Sequence, residues 1–205
     1  MEVTANSTTI RPFIEALRGE TAELHKNLER LPLSAALVDK NLSTADYSRY
    51  LLKMHGVMHD VEENVFPVVK KIFPDIDRRK KTVLIKNDLT ALHIAIDEEH
   101  TIPITENITS LSVPFALGII YVTEGSSLGG RVILKNVQHT LELSETNGAS
   151  YFAGYGDTTG MLWKQFLEQI INYENESDSA ETIIKGARHA FSAIYNYLNQ
   201  TESSK

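Results

Sequence analysis

An all-α, single-domain helical bundle is the fold class the sequence predicts. Three observations predict it. Apolar residues recur at helical spacing along nearly the whole chain, no alternating stretch reads as a strand, and the 6 prolines and 11 glycines stand mostly at breaks between the periodic runs. A length of 205 residues fits one domain or at most two, and suffices to bury a sizeable core.

The first helix is expected to open near Pro12, a favoured first-turn residue, and to end before Pro32, with Phe13, Leu17, Leu24 and Leu28 as its buried stripe. Ser43 followed by Asp46 announces a second helix, which carries Tyr47, Tyr50, Leu51, Met54, Met58 and Val61 to about Pro67. A third is expected over roughly Asp77 to Glu98, and a loop over Thr101–Thr109 around Pro103. The fourth runs from about Val113 to Leu143, closed by Asn147-Gly148, and is rich in glycine: Gly118, Gly125, Gly129 and Gly130. Tyr151–Asp157 reads as a loop, Thr159 to Tyr173 as a fifth helix, and the last helix follows Ser177–Ser179 and runs to about Leu198. The domain thus spans residues 11–198, with flexible polar ends at 1–10 and 199–205.

Composition excludes several functions. Against 27 acidic residues stand 20 basic ones, a formal charge of −7 that argues against nucleic-acid partners. The chain has no cysteine, which removes disulfides, thiolate nucleophiles, Fe–S clusters and Cys-based zinc sites together. That fits a reducing cytoplasm, and cytoplasmic localisation is the expectation. No apolar stretch is long enough to span a membrane, and the first nine residues lack the basic and apolar regions of a signal peptide.

The segment Tyr121-Val-Thr-Glu-Gly125-Ser-Ser-Leu-Gly129-Gly130-Arg131 is the most informative. A glycine inside a helix costs about 1 kcal/mol relative to alanine, so three within six residues is a heavy local penalty. Gly125 and Gly129 share a face, and a face without Cβ atoms lets a neighbour come close. The neighbour is either another helix, packed through small residues, or a planar ligand. His25, with Arg18 and Thr21 on the same helix, is either a packed histidine or a metal-ligating imidazole, with Arg18 offering its guanidinium to an anionic group.

Together these residues carry a resemblance. Leu17-Arg18-Gly-Glu-Thr21-Ala-Glu-Leu24-His25-Lys-Asn-Leu28-Glu29 resembles the first-helix motif of the haem oxygenase family. Glu124-Gly125-Ser-Ser-Leu-Gly129-Gly130-Arg131 is similar to its distal-helix motif, particularly in the bacterial branch, as is Phe152-Ala-Gly-Tyr155-Gly156-Asp157-Thr-Thr-Gly160-Met-Leu-Trp163-Lys164-Gln-Phe166. The resemblance covers residues 11–198. It implies haem as substrate and cofactor, with His25 as the proximal iron ligand and Arg18 and Lys164 near the propionates. It sets Gly125, Gly129 and Gly130 over the haem plane, with Thr21, Tyr121 and Phe191 completing the pocket. Gly125, Ser126 and Gly129 are the implied catalytic positions, where close backbone and held water meet bound O2. The implied products are biliverdin, carbon monoxide and ferrous iron, with electrons from a ferredoxin, a flavodoxin or a reductase. Two positions depart from the family pattern: Ser126 stands where many members carry aspartate, and Glu168 where a further basic residue is common. A haem carrier or sensor on the same fold is the alternative function. A haem-free, thiamin-degrading relative ranks last, because the cysteine that chemistry uses is absent.

Other constellations read as structural. His55 and His59 lie four apart, without the glutamates of a zinc-protease or di-iron motif, and read as surface or packing histidines. Arg78-Arg79-Lys80-Lys81 reads as a solvated helix start, or as a docking patch for an acidic electron donor. Asp97-Glu98-Glu99-His100 reads as a solvated helix end.

Overall fold

The structure is a computed structural model that describes residues 10–96 and 101–200. Among them the chain is helical, and the only β-type pairings are isolated bridges from Ser144 to Asn147 and Gly148. Among the described residues no helix is long and apolar enough to cross a membrane.

Helix α1 (Ile10–Glu29) is followed by a short α2 (Pro32–Ala36), which begins on the proline expected only to end its predecessor. Helix α3 (Thr44–Asp60) starts at Ser43, whose Oγ accepts the Asp46 N–H at 3.1 Å, the predicted cap. It continues through a π-turn (Val61–Val65) into α4 (Phe66–Val69). Pro67 therefore falls in the first turn of a new segment, where its missing N–H costs nothing, and the helix extends past the expected stop.

The expected third helix over 77–98 is corrected. It is a 3₁₀ turn (Ile76–Arg79), a break, and α5 (Thr82–Ala91). The break falls at Lys81 because Glu62 Oε1 accepts the Lys81 and Thr82 N–H groups at 2.6 and 2.8 Å, capping α5 from another element. The helix stops early because His93 turns left-handed at φ 57°, and the Ile94 N–H closes back on the Leu89 carbonyl at 2.9 Å. Residues 97–100, and so the expected solvated end, lie outside the described residues, as do 1–9 and 201–205 of the expected flexible ends.

Helix α6 (Val113–Leu141) is the longest, and its apolar residues Ala116–Val122 are buried throughout. A one-turn α7 (Ser150–Ala153) and a 3₁₀ turn (Gly156–Thr158) replace the loop expected over 151–157. Asp88 nucleates α7: its carboxylate accepts the Ser150 N–H, the Ser150 hydroxyl and the Tyr151 N–H at 2.7, 2.7 and 2.8 Å. Helix α8 (Thr159–Ser177) runs past the expected Tyr173 to a left-handed Asp178, and α9 (Ala180–Asn199) completes the bundle.

Both α1 and α6 pack on α9. The α6–α9 crossing is backbone on backbone. A Cβ at Gly118 would lie 2.0 Å from the Ile183 carbonyl oxygen, and one at Gly186 2.1 Å from that of Phe115. Here the close-packing explanation for a helical glycine holds. The crossing fixes where the next turns of α6 point.

Candidate functional site

Helices α1 and α6 approach each other at Tyr121. Burial pushes its phenol pKa up, while the Arg18 guanidinium and the Thr21 hydroxyl pull it back. Thr21 Oγ1 donates to its own helix, to the Leu17 carbonyl at 2.7 Å. One turn beyond Thr21 on the same face stands His25, and one and two turns beyond Tyr121 stand Gly125 and Gly129. By helical spacing the two stripes extend from that one contact, and the space between them is the candidate ligand gap.

His25 is well exposed, at 56% of its side chain, with Nε2 3.7 Å from Glu29 Oε1. Phe191 of α9 meets its ring edge-on at 5.7 Å between centroids, although Phe191 is itself buried. The imidazole thus stands on an aromatic shoulder rather than in the core. Its ring nitrogens are accessible to a metal.

The three glycines differ. A Cβ at Gly129 would meet nothing within 4 Å, whereas one at Gly125 would touch the Trp163 ring at 3.4 Å. Gly130 turns the other way: a Cβ there would lie 2.8 Å from the Phe152 carbonyl oxygen. Gly130 is buried against α7, and its missing Cβ makes room for that carbonyl. Beside Gly129, Leu128 is 48% exposed, a large apolar side chain at the edge of open ground. Bare backbone, an exposed leucine and an accessible imidazole fit a flat, largely apolar ligand held by one nitrogen ligand.

Ser126 donates its hydroxyl to the Thr123 carbonyl at 2.7 Å and lies near the Tyr151 phenol. Burial drives that phenol well above its ordinary value. Lys164 on α8 is 79% exposed and 3.8 Å from Glu168, so its ammonium projects into solvent. Trp163, beside it, packs on Tyr121 at 5.5 Å and on Phe166 at 5.7 Å between centroids, walling the Gly125 end of the gap.

Behind α6 lies a group the sequence reading missed. Arg79 and Lys81 are not a solvated helix start, since their side chains are 3% and 2% exposed. Arg79 Nη1 is 2.6 Å from Glu124 Oε2, Lys81 Nζ is 3.1 Å from Glu124 Oε1, and the Tyr155 hydroxyl donates to Oε1 at 2.8 Å. Burial alone would raise the Glu124 carboxyl, but the charges of Lys81 and Arg79 and the hydrogen bonds from Tyr155 and Arg79 outweigh it, and its pKa is lowered. Burial and Glu124 together push the Tyr155 phenol far up. A signal was present: a glutamate just after an apolar helical run needs a cation, and Arg78-Arg79-Lys80-Lys81 is the densest basic run in the sequence.

His55 and His59 are half-buried on α3, with rings 6.1 Å apart. No group of three or more His, Asp or Glu side chains placed to hold a metal occurs among the described residues.

Comparison with solved structures defines the class of fold. The chain superposes on heme oxygenase from Leptospira interrogans with a TM-score of 0.74 at 16% identity, covering 91% of this chain and 98% of that one. The NO- and CO-bound heme oxygenase of Neisseria meningitidis gives 0.71 at 21% identity over 94% of each chain. Heme oxygenase-1 of the cyanobacterium Synechocystis, in complex with heme, gives 0.71 at 16%, covering 91% and 90%. In sequence, the heme oxygenase PigA of Pseudomonas aeruginosa is 27% identical over 182 residues, 88% of both chains. The family model described as Heme oxygenase matches residues 11–200, and the chain belongs to that family, a family of haem-degrading enzymes.

Proposed function

We propose that this protein is a haem oxygenase that cleaves haem to biliverdin, carbon monoxide and ferrous iron, using O2 and electrons from an external ferredoxin, flavodoxin or reductase. The observation that supports the reading is the family match over residues 11–200, joined by an exposed His25 imidazole on α1 and open backbone at Gly129 on α6. Haem, when bound, would supply both the oxidisable macrocycle and the iron at which O2 reacts.

The chain's own residues then have separable tasks. His25 would hold the iron of a bound haem through its imidazole, which lacks the electron push of a thiolate. The open backbone at Gly129 would let a bound haem come close to α6, beside the Trp163 ring that borders Gly125. Trp163 and Phe191 wall the pocket. Arg18 and Lys164 offer cations to the propionates. Ser126, where other family members use a carboxylate, donates its hydroxyl to the Thr123 carbonyl and would offer a water only its oxygen lone pairs. A cytoplasmic location accords with the absence of cysteine.

The test is a haemin titration followed by one aerobic turnover with reduced ferredoxin. A saturable Soret band, then its loss with growth of bilin absorption, is expected. His25→Ala should lose the normal ligation and the turnover. No saturable change with haemin refutes the reading. One observation favours a carrier or sensor instead: the Ser126 hydroxyl is directed back to the Thr123 carbonyl. On that reading the oxygenated complex persists and no bilin forms.

A further inference from the structure

We propose that Lys81, together with Glu124, Arg79 and Tyr155, is a positioning device that fixes the glycine-bearing turn of α6 from behind and so aims Gly129 at the gap. The proposal deepens the haem oxygenase reading and rests on it.

Lys81 is held at both ends. Its backbone N–H donates to Glu62 Oε1 at 2.6 Å, and its ammonium crosses to α6. There it meets the Thr123 carbonyl at 3.0 Å, the Ser127 hydroxyl at 2.7 Å and Glu124 Oε1 at 3.1 Å. An ammonium has three N–H donors, and these are three acceptors on one turn of one helix. Such an attachment fixes the rotation of the helix about its axis as well as its distance. Arg79 and Tyr155 hold the same glutamate from its other sides. Beyond the glycines, Gly130 packs on the Phe152 main chain, whereas the Arg131–Asp157 pair is exposed and adds little.

Geometry assigns the faces. At 3.6 residues per turn, Gly129 lies about 140° from Glu124 and about 160° from Ser127 around the helix. Gly130 lies about 60° from Ser127, in accord with its packing on Phe152. The charged group therefore grips the face opposite Gly129. Stability alone is a poor account of it, because desolvating buried ions offsets much of their attraction and apolar packing serves as well. What the charges add is direction. The stretch they steady carries three glycines and has the lowest intrinsic helix preference in α6.

The experiment uses Lys81→Met and the milder Ser127→Ala. Amide hydrogen exchange is read in the haem-free chain, and the carbon monoxide stretch in the reduced, haem-loaded protein. In Lys81→Met, amides 125–131 should exchange about tenfold faster or more, with α9 unchanged. Ser127→Ala should act in the same direction to a lesser degree. The carbon monoxide stretch should move in both, because it reports the backbone over the open face. Uniform acceleration across the chain, no local change, or an unmoved stretch overturns the proposal. If Lys81→Met does not fold, Ser127→Ala decides alone. A wild-type chain that takes up no haemin overturns the haem reading and leaves the pinning to the exchange data, which need no haem.

Discussion

Replacing Gly129 by alanine should stabilise the haem-free protein. An interior helical glycine costs about 1 kcal/mol relative to alanine, and in a domain of this size that is roughly 2–4 °C in Tm. Nothing in the fold opposes the gain, because the new Cβ meets no atom within 4 Å. The same change at Gly130 carries the same gain, but its Cβ would stand 2.8 Å from a main-chain oxygen. Overpacking of that kind costs about 1–3 kcal/mol, so the net runs from neutral to about 2 kcal/mol destabilising. At Gly118 the Cβ would lie 2.0 Å from one main-chain atom and 2.6 Å from another, inside the α6–α9 crossing. The cost there should be about 3 kcal/mol or more. Thermal unfolding without haemin should therefore rank Gly129→Ala first, then wild type, Gly130→Ala and Gly118→Ala. Gly129→Leu completes the set: it should keep the fold yet lose bilin formation. A lower Tm for Gly129→Ala, or normal bilin yield from Gly129→Leu, would refute the view that Gly129 faces functional open space.

His25→Ala should remove the saturable Soret change of the wild type, and added imidazole should restore part of it. Glu124 carries a pH dependence: its folded pKa lies below the ordinary 4.5, so its contribution is complete above that value and is lost as pH falls through the folded one. Glu124→Gln should accordingly flatten the acid limb of urea midpoint against pH; an unchanged limb removes Glu124 from the account. Asp88→Ala should cost about 1–2 kcal/mol by uncapping α7, read as a fall in urea midpoint at constant slope. Tyr47→Phe leaves the Gly148 carbonyl, now bonded at 2.9 Å, without its buried donor, and should cost about 1–3 kcal/mol.

The bundle was legible because its signals are local. Ser43 and Asp46 make a cap from two residues three apart, and the stripe of α6 repeats within its own helix. The misread elements depend on partners far along the chain. The break at Lys81 is made by Glu62, and α7 is made by Asp88, 62 positions before Ser150. The site divides in the same way. His25, Arg18, Thr21, Tyr121, Gly125, Gly129 and Lys164 could be named as candidates because their spacing and family motifs are contiguous in sequence. The separate fate of Gly130 required knowing that Phe152 lies behind it, and the burial of Arg79 and Lys81 required knowing that Glu124 does.

The position of the charges explains how the glycines can be tolerated. Three of them between residues 125 and 130 cost the helix about 3 kcal/mol against alanine, enough to fray or kink an isolated helix at that point. The structure keeps α6 continuous from Val113 to Leu141 by anchoring it on both sides of the weak stretch. Before it lie the α6–α9 crossing at Gly118 and the ammonium on Thr123, Glu124 and Ser127; after it, the buried Leu134 and Val137. Helical order in the middle is thus imposed by tertiary contacts on the back face, which leaves the front face free of side chains. A helix whose own residues secured that order would need Cβ atoms where the gap needs none. The buried cations and the bare glycines are therefore two halves of one design, and a variant that weakens the first should be felt at the second before it is felt in the rest of the bundle.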